Sequence, residues 1–266
     1  MQRPLRRRPA AGRRTAGPLI ASVALLSIAG AACGSSGGNN SAQSSTTSTT
    51  TGSTGQNVEA DKAAAQAASL KLSDFPAGWT SQPATYNNNP SQGLTAQLAK
   101  CLGVSQAALT KAPARYESPD FSEPSSNNSV SSDVGYRATA HDQQTAFAIV
   151  SGSKVPGCLA TAVAAVIDDA IKHPTKPSDT LPAGAKVGTT KVSQMSFPQV
   201  GDKSIAYQID VPVSYGGLSL HAYLDEIFVI KGRASTAMTF QGSSEPFPVD
   251  QAQHYTELVV GRLTDT

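Results

Sequence analysis

Ser151 and Lys154 stand three residues apart in Ser151-Gly152-Ser153-Lys154, the S-x-x-K spacing in which a lysine one helical turn away could activate a serine hydroxyl as a nucleophile. The S-D-N and K-T-G companions of penicillin-binding enzymes are missing, and Gly152 and Pro156 point to a helix end at this place. Asp225-Glu226 puts two carboxylates side by side in a strand-like run. Successive strand residues face opposite sides, so the two do not readily act as one acid/base pair. His141, His173, His221 and His254 are scattered, and each reads as a solvent-facing or capping residue rather than a metal ligand. Within residues 58–266 there is no G-x-S-x-G elbow, H-E-x-x-H pair, Ca²⁺ loop or P-loop. The expectation is therefore no catalytic residue, no metal and no cofactor. Trp79, the single Trp, sits beside Pro76 and Gly78. Its ring either closes the end of a core, the favoured reading, or stacks on a ligand, which makes it the candidate ligand-binding residue.

The elements that would position these groups can be read from periodicity. Helix formers and early acids from Val58 to Leu70 predict a first helix. Leu94, Leu98, Cys101 and Leu102 fall at i, i+4, i+7 and i+8, which places Cys101 on the buried face of a second helix stopped by Gly103. Alternation at Val130, Val134, Tyr136 and Ala138 predicts a strand. Asp142 is expected to cap a helix carrying Ala146, Ile149 and Val150. Another helix carries Leu159, Val163, Val166, Ile167 and Ala170 to about His173, with Cys158 in its first turn.

From Ile205 the period becomes two. Ile205, Tyr207, Ile209, Val211 and Val213 alternate, Gly216-Gly217 supplies a turn, and Leu218 to Leu224 continue the alternation. Ile227 to Ile230 is apolar on both faces, Lys231-Gly232 reads as a second tight turn, and Ala234 to Phe240 complete a three-stranded meander. Pro212 lacks an N–H, so its strand should have an edge or a bulge there. A last helix, with Asp250 as its cap, turns Tyr255, Leu258 and Val259 inward. Asn87 to Asn89 and the stretch from Ser118 to Asn128 read as surface loops. These elements make an α+β domain, an antiparallel sheet with a C-terminal meander between flanking helices.

The first 32 residues carry six Arg and then an apolar stretch of about 14 residues from Leu19 to Ala32. That is short of the roughly 20 needed to span a bilayer and fits a cleavable signal peptide. Gly30-Ala31-Ala32-Cys33 resembles the bacterial lipobox at its last three positions and departs at Gly30, where the pattern prefers Leu, Val or Ile. The resemblance implies that Cys33 takes a diacylglyceryl group and becomes the mature amino terminus, anchoring the protein to the extracytoplasmic face of the cell membrane. Ordinary signal-peptide cleavage near Cys33 is the alternative. Residues 33–57 are nearly all Gly, Ser, Thr, Asn and Gln after the cysteine, a tether with a mean span of roughly 25 Å.

The whole chain carries 21 basic and 19 acidic residues, a net charge of +2. The six leader arginines have no acidic counterpart before Cys33, which leaves 15 basic and 19 acidic residues and a net charge of −4. With no cluster of Lys and Arg, nucleic acid is not an expected partner. If lipid occupies Cys33, Cys101 and Cys158 remain as a pair, and in an oxidising compartment a disulfide is the simplest outcome. It would close a loop of about 58 residues, worth about 4 kcal/mol in the chain-entropy model.

Leu72-Ser73-Asp74-Phe75-Pro76-Ala77-Gly78-Trp79, Cys101-Leu102-Gly103 and Ser118-Pro119-Asp120-Phe121, followed by the late meander and helix, resemble exported actinobacterial, mycobacterial-type lipoproteins of uncharacterised function. More distantly the layout is similar to PsbP-like sandwich lipoproteins and to the extracellular sensor domains of receptor kinases. The resemblance implies an α/β/α sandwich over about Leu72 to Arg262 and brings no catalytic residue with it. Residues 58–266 are thus expected to form one extracytoplasmic, non-enzymatic module that binds a small molecule or lipid of the envelope. An accessory lipoprotein that binds an envelope protein is the second reading, and a hydrolase using Ser151 the third.

Overall fold

The computed structural model describes residues 57–84, 90–110, 112–172 and 184–264. The leader, the tether with Cys33, Asn87 to Asn89 and His173 lie outside these residues. The helices are α1 (Val58–Ala68), α2 (Pro90–Leu102), α3 (Gln106–Thr110), α4 (Ala140–Val150), α5 (Val155–Lys172) and α6 (Val249–Arg262), with a single 3-10 turn at Leu72–Asp74. The strands are β1 (Thr80–Gln82), β2 (Ala114–Glu117), β3 (Asp120–Glu123), β4 (Asn128–Tyr136), β5 (Lys186–Val187), β6 (Lys191–Met195), β7 (Lys203–Tyr215), β8 (Leu218–Lys231) and β9 (Ala234–Ser243).

The meander is present as β7, β8 and β9, and it is the middle of a larger antiparallel sheet. The order runs β1-β3-β4-β9-β8-β7-β5, with β2 also on β4 and β6 also on β7. Gly216 and Gly217 make the first turn with φ of 57° and 82°, a conformation that costs other residues a steric penalty. On each side of the four long strands β4, β9, β8 and β7 the next position is shared between two short strands, and each break falls at a proline. On β7, β6 reaches Asp210 and β5 resumes at Val213, so Pro212, which has no N–H to give, lies in the gap while its carbonyl accepts from Gly188 at 2.7 Å. On β4, Ser118-Pro119 separates β2 from β3. The Ser118 hydroxyl accepts the Ser132 N–H at 2.9 Å and repairs the ladder.

Helices cover both sheet faces, as the α/β/α sandwich requires. One face carries Val134, Ala206, Ile227, Val229, Met238 and Phe240 and packs against α1 and α6. The other carries Ile209, Val211 and Leu224 against α2 and α5, with Tyr207 and Ile230 against Phe147 of α4 and Val155 of α5. Charged groups fasten the first layer. Arg233, in the turn between β8 and β9, pairs with Asp61 of α1 and lies 5.2 Å over the Tyr136 ring. Arg262 of α6 grips Asp74 through two bonds of 2.8 and 2.6 Å, and Lys231 donates to the Leu263 carbonyl at 2.9 Å just past the end of α6.

Several local expectations are corrected. Ser118 to Asn128 is not a loop, because Phe121 is buried and draws Asp120–Glu123 into the sheet between β1 and β4, leaving only a turn before Asn128. The cap of α4 is Thr139, whose hydroxyl accepts the Asp142 N–H at 3.0 Å; Asp142 in turn accepts from that hydroxyl. The residue before α6 is Pro248, with no side-chain cap, and Asp250 sits in the first turn, where its charge suits the helix dipole. Cys101 is exposed, one residue before the end of α2, so the buried stripe of that helix is formed by Leu94 and Leu98 with Leu102 half-buried. Leu258 is half-buried, and Ala252, Thr256 and Val260 join Tyr255 and Val259 on the inner side of α6.

Candidate binding site

The polar residues that matter most lie in register with apolar ones. On α2, Thr95 stands three before Leu98 and seven before Leu102; on α4, Gln143 stands three before Ala146 and four before Phe147. Helical spacing puts each set on one stripe. The two stripes, with Leu109 of α3 and with Val155 and Leu159 of α5, roof a cavity of about 130 Å³ on the sheet face opposite α1 and α6. Its floor includes Phe228 and Ile230 of β8, Ala237 of β9 and Gly135 of β4. Gly135 keeps that floor close to the chain entering β2, since a Cβ there would meet the Ala112 Cβ at 3.1 Å.

The roof is held together covalently. Cys101 and Cys158 form a disulfide with their Cα atoms 5.5 Å apart, joining the last turn of α2 to the first turn of α5. On the sheet side the Tyr207 hydroxyl donates to the Val150 carbonyl at 2.8 Å and fixes the end of α4 above β7. Burial raises the Tyr207 pKa to about 12, so this hydroxyl stays a donor over the whole ordinary pH range.

Polar side chains are also among the residues that line the cavity. Arg115 of β2 and Asp133 of β4 form a bidentate ion pair at its wall. Arg137 donates to the Ala108 carbonyl at 3.3 Å; partial burial lowers its pKa, and the nearby Asp142 carboxylate opposes that shift. Thr95 and Gln143 are 1% and 4% exposed, and the Thr95 Oγ1 and Gln143 Oε1 atoms have no hydrogen-bond partner. A buried polar atom left unpaired costs about 1–3 kcal/mol, so these two atoms are the most conspicuous energetic debt of the wall.

The residues singled out by sequence fall elsewhere. Trp79 is 9% exposed in the opposite layer, stacked on Phe75 with centroids 4.5 Å apart and set edge-on to Tyr255 at 6.3 Å. Its ring is part of the buried core cluster of that layer. Ser151 terminates α4 and Lys154 precedes α5, so the pair lies in the turn between two helices and lacks the shared helical turn of an S-x-x-K nucleophile. His141 and His254 are exposed; His221 shares a 2.6 Å contact between its Nδ1 and the Asp210 Oδ1 and stacks on Tyr223. Among the described residues no group of three or more His, Cys, Asp or Glu side chains is placed to hold a metal ion.

Asp225 and Glu226 face opposite sides of the sheet, as expected, and both are buried. Asp225 accepts from Gln208 Nε2 at 3.1 Å, and Glu226 accepts from Thr239 Oγ1 at 3.0 Å. Desolvation dominates both and lifts their pKa values to about 6 and about 8. Neither lines the cavity. Thr95 and Gln143 escaped the sequence reading because an isolated polar residue in an amphipathic helix reads as surface; the available signal was their exact spacing from buried Leu98 and Phe147.

Among the described residues no single helix is long and apolar enough to cross a membrane. No family model matches the chain, and no curated protein matches it.

Proposed function

We propose that this domain is a non-enzymatic binding module that holds a small, mainly apolar ligand between the sheet and the α2 to α5 layer. The observation that carries this reading is the cavity itself, whose lining is mainly apolar with a few polar side chains among it. Its size sets the ligand. At about 130 Å³ it is close to the roughly 150 Å³ engineered cavity that takes up benzene, so a single ring, a short branched molecule or the end of one acyl chain fits. A whole lipid would leave most of its length outside.

The sequence supports an address for this module: Cys33, after the signal peptide, carries diacylglycerol and tethers the domain to the extracytoplasmic face of the membrane. Mass measurement of the mature amino terminus tests the anchor. Native mass spectrometry of the extracted protein, with thermal shifts against ring-sized compounds and envelope lipids, tests the binding reading. Unliganded protein that no compound stabilises would remove it.

One observation favours the accessory reading as a second role. Tyr215, Leu218 and Leu220, at the tip of the β7–β8 hairpin, are 43%, 63% and 49% exposed. The register places all three on one face of that tip, an apolar spot suited to an envelope protein. Replacing Leu218 and Leu220 with Asp should abolish any cross-linked partner without lowering the melting temperature.

A further inference from the structure

Resting on the anchor and the accessory reading above, we infer that the tip of the β7–β8 hairpin docks a second envelope protein on the side turned away from the anchoring membrane, and that this partner receives the tip in an uncharged, apolar hollow. Asp61, in the first turn of α1, pairs with Arg233 in the β8–β9 turn. Just past the end of α1, the Leu70 N–H donates to Ser132 Oγ at 3.1 Å, in the middle of β4. The chain therefore enters the domain at the β8–β9 end of the sheet and runs inward along it. The β7–β8 turn is at the other end of β8, whose 14 residues extend about 40 Å. The tether thus joins the domain at the end opposite the tip, and its mean span of roughly 25 Å is shorter than the sheet. Bringing the tip to its own bilayer would require the tether to stretch back along the whole domain.

The chemistry of the tip selects the partner. Tyr215, Leu218 and Leu220 continue the face that Ile209, Val211 and Leu224 bury against α2 and α5, and they are left exposed. Val211 to Leu224 contains no Asp, Glu, Lys or Arg, and His221 is engaged by Asp210. The lysine nearest in register is Lys186, opposite Ser214, and a single cation adds only about 1 kcal/mol at an anionic lipid surface. Each about half exposed, the three apolar side chains offer on the order of 300 Å². A stable interface takes about 800 Å² from each partner, so two copies meeting face to face at the tip would bury too little. Ser214 to Leu220 are all exposed, and the turn at Gly216-Gly217 is bare of side chains. A hollow that takes the tip end-on covers both faces of the hairpin and narrows that gap.

Photo-crosslinking in cells that make the full chain tests this, with benzoylphenylalanine placed at Ser219 in the tip and, as a control, at Glu59 of α1, which is exposed at the tethered end. The probe at position 219 should give one protein adduct that the probe at position 59 does not. The partner peptide at the link, read by mass spectrometry, should be apolar and uncharged. Leu218→Asp with Leu220→Asp should cut the yield about tenfold or more, and Leu218→Met with Leu220→Met should keep it within about threefold. A protein adduct through a charged peptide would overturn the hollow and leave the accessory reading standing. The same adduct from both positions would overturn the tip as its site, and a mature amino terminus without lipid would overturn the orientation. A link to lipid, to a second copy or to residues 173–183 of the same chain would overturn the envelope protein as occupant. No adduct at position 219 would overturn both the docking surface and the accessory reading. If the Asp variant fails to fold, the peptide linked to the chain with Leu218 and Leu220 intact still decides.

Discussion

Asp225 and Glu226 are neighbours in β8, point to opposite faces of the sheet, and are each sealed beneath a different layer of the sandwich. One carboxylate oxygen of each accepts a bond, from Gln208 on β7 and from Thr239 on β9, while Asp225 Oδ2 and Glu226 Oε2 have no hydrogen-bond partner. A central strand therefore carries two carboxyl groups for which the protonated form is the cheaper one.

The consequence is an inverted pH dependence. Folded-state values of about 6 and about 8 lie above the ordinary 3.8 and 4.5, so between those limits the native state holds protons that the unfolded chain has released. This contribution is fully present below about pH 4 and is lost as pH rises toward 8. Asp225→Asn and Glu226→Gln should each raise stability at pH 8, Glu226→Gln more, and flatten the urea-melt midpoint across pH 5 to 8. A wild-type midpoint that climbs through that window, unchanged by either variant, would refute the account.

Reduction should loosen the roof of the cavity before anything else. Cys101 is exposed although Cys158 is buried, so reductant reaches the bond in the folded state. Losing a cross-link between residues 57 apart should cost about 4 kcal/mol. Urea denaturation of a Cys101→Ser, Cys158→Ala double variant measures it, and hydrogen exchange should show protection lost first in α2 and the start of α5.

Asp61 and Arg233 hold α1 to the turn between β8 and β9, with the Asp61 side chain 2% and the Arg233 side chain 18% exposed. Asp61→Ala removes one charge and leaves the other largely enclosed, at an expected cost of about 3–5 kcal/mol. A second change, Arg233→Met, should recover part of that loss by removing the stranded cation. A thermodynamic cycle over the four proteins gives the coupling; additive effects would show that the pair contributes nothing.

Trp79 is the chain's single tryptophan and sits in the layer remote from the cavity, so its fluorescence separates folding from binding. Emission should shift strongly on unfolding and stay constant when a ligand enters between the sheet and α4. Trp79→Ala should cost about 3–5 kcal/mol by emptying the contact with Phe75 and Tyr255. A ligand-induced change in Trp79 emission would place the site at this aromatic cluster instead.

What the sequence determined was whatever depends on local order: the two-residue period of β7, β8 and β9, the apolar stripes of α2 and α5, the glycine turn at Gly216-Gly217, and the opposite facing of Asp225 and Glu226. Short strands without a full period, such as β1, β2 and β6, were not legible, because their conformation comes from pairing with distant partners. Phe121 shows this well: its polar surroundings read as loop, and only a core to enter makes Asp120–Glu123 a strand. The cavity belongs wholly to the tertiary structure. Thr95 and Gln143 are 48 residues apart in the chain, and each alone is an ordinary helix residue. Packing four helices on one sheet face buries both beside the same void, and burial turns an unremarked hydroxyl and amide into unpaired polar groups.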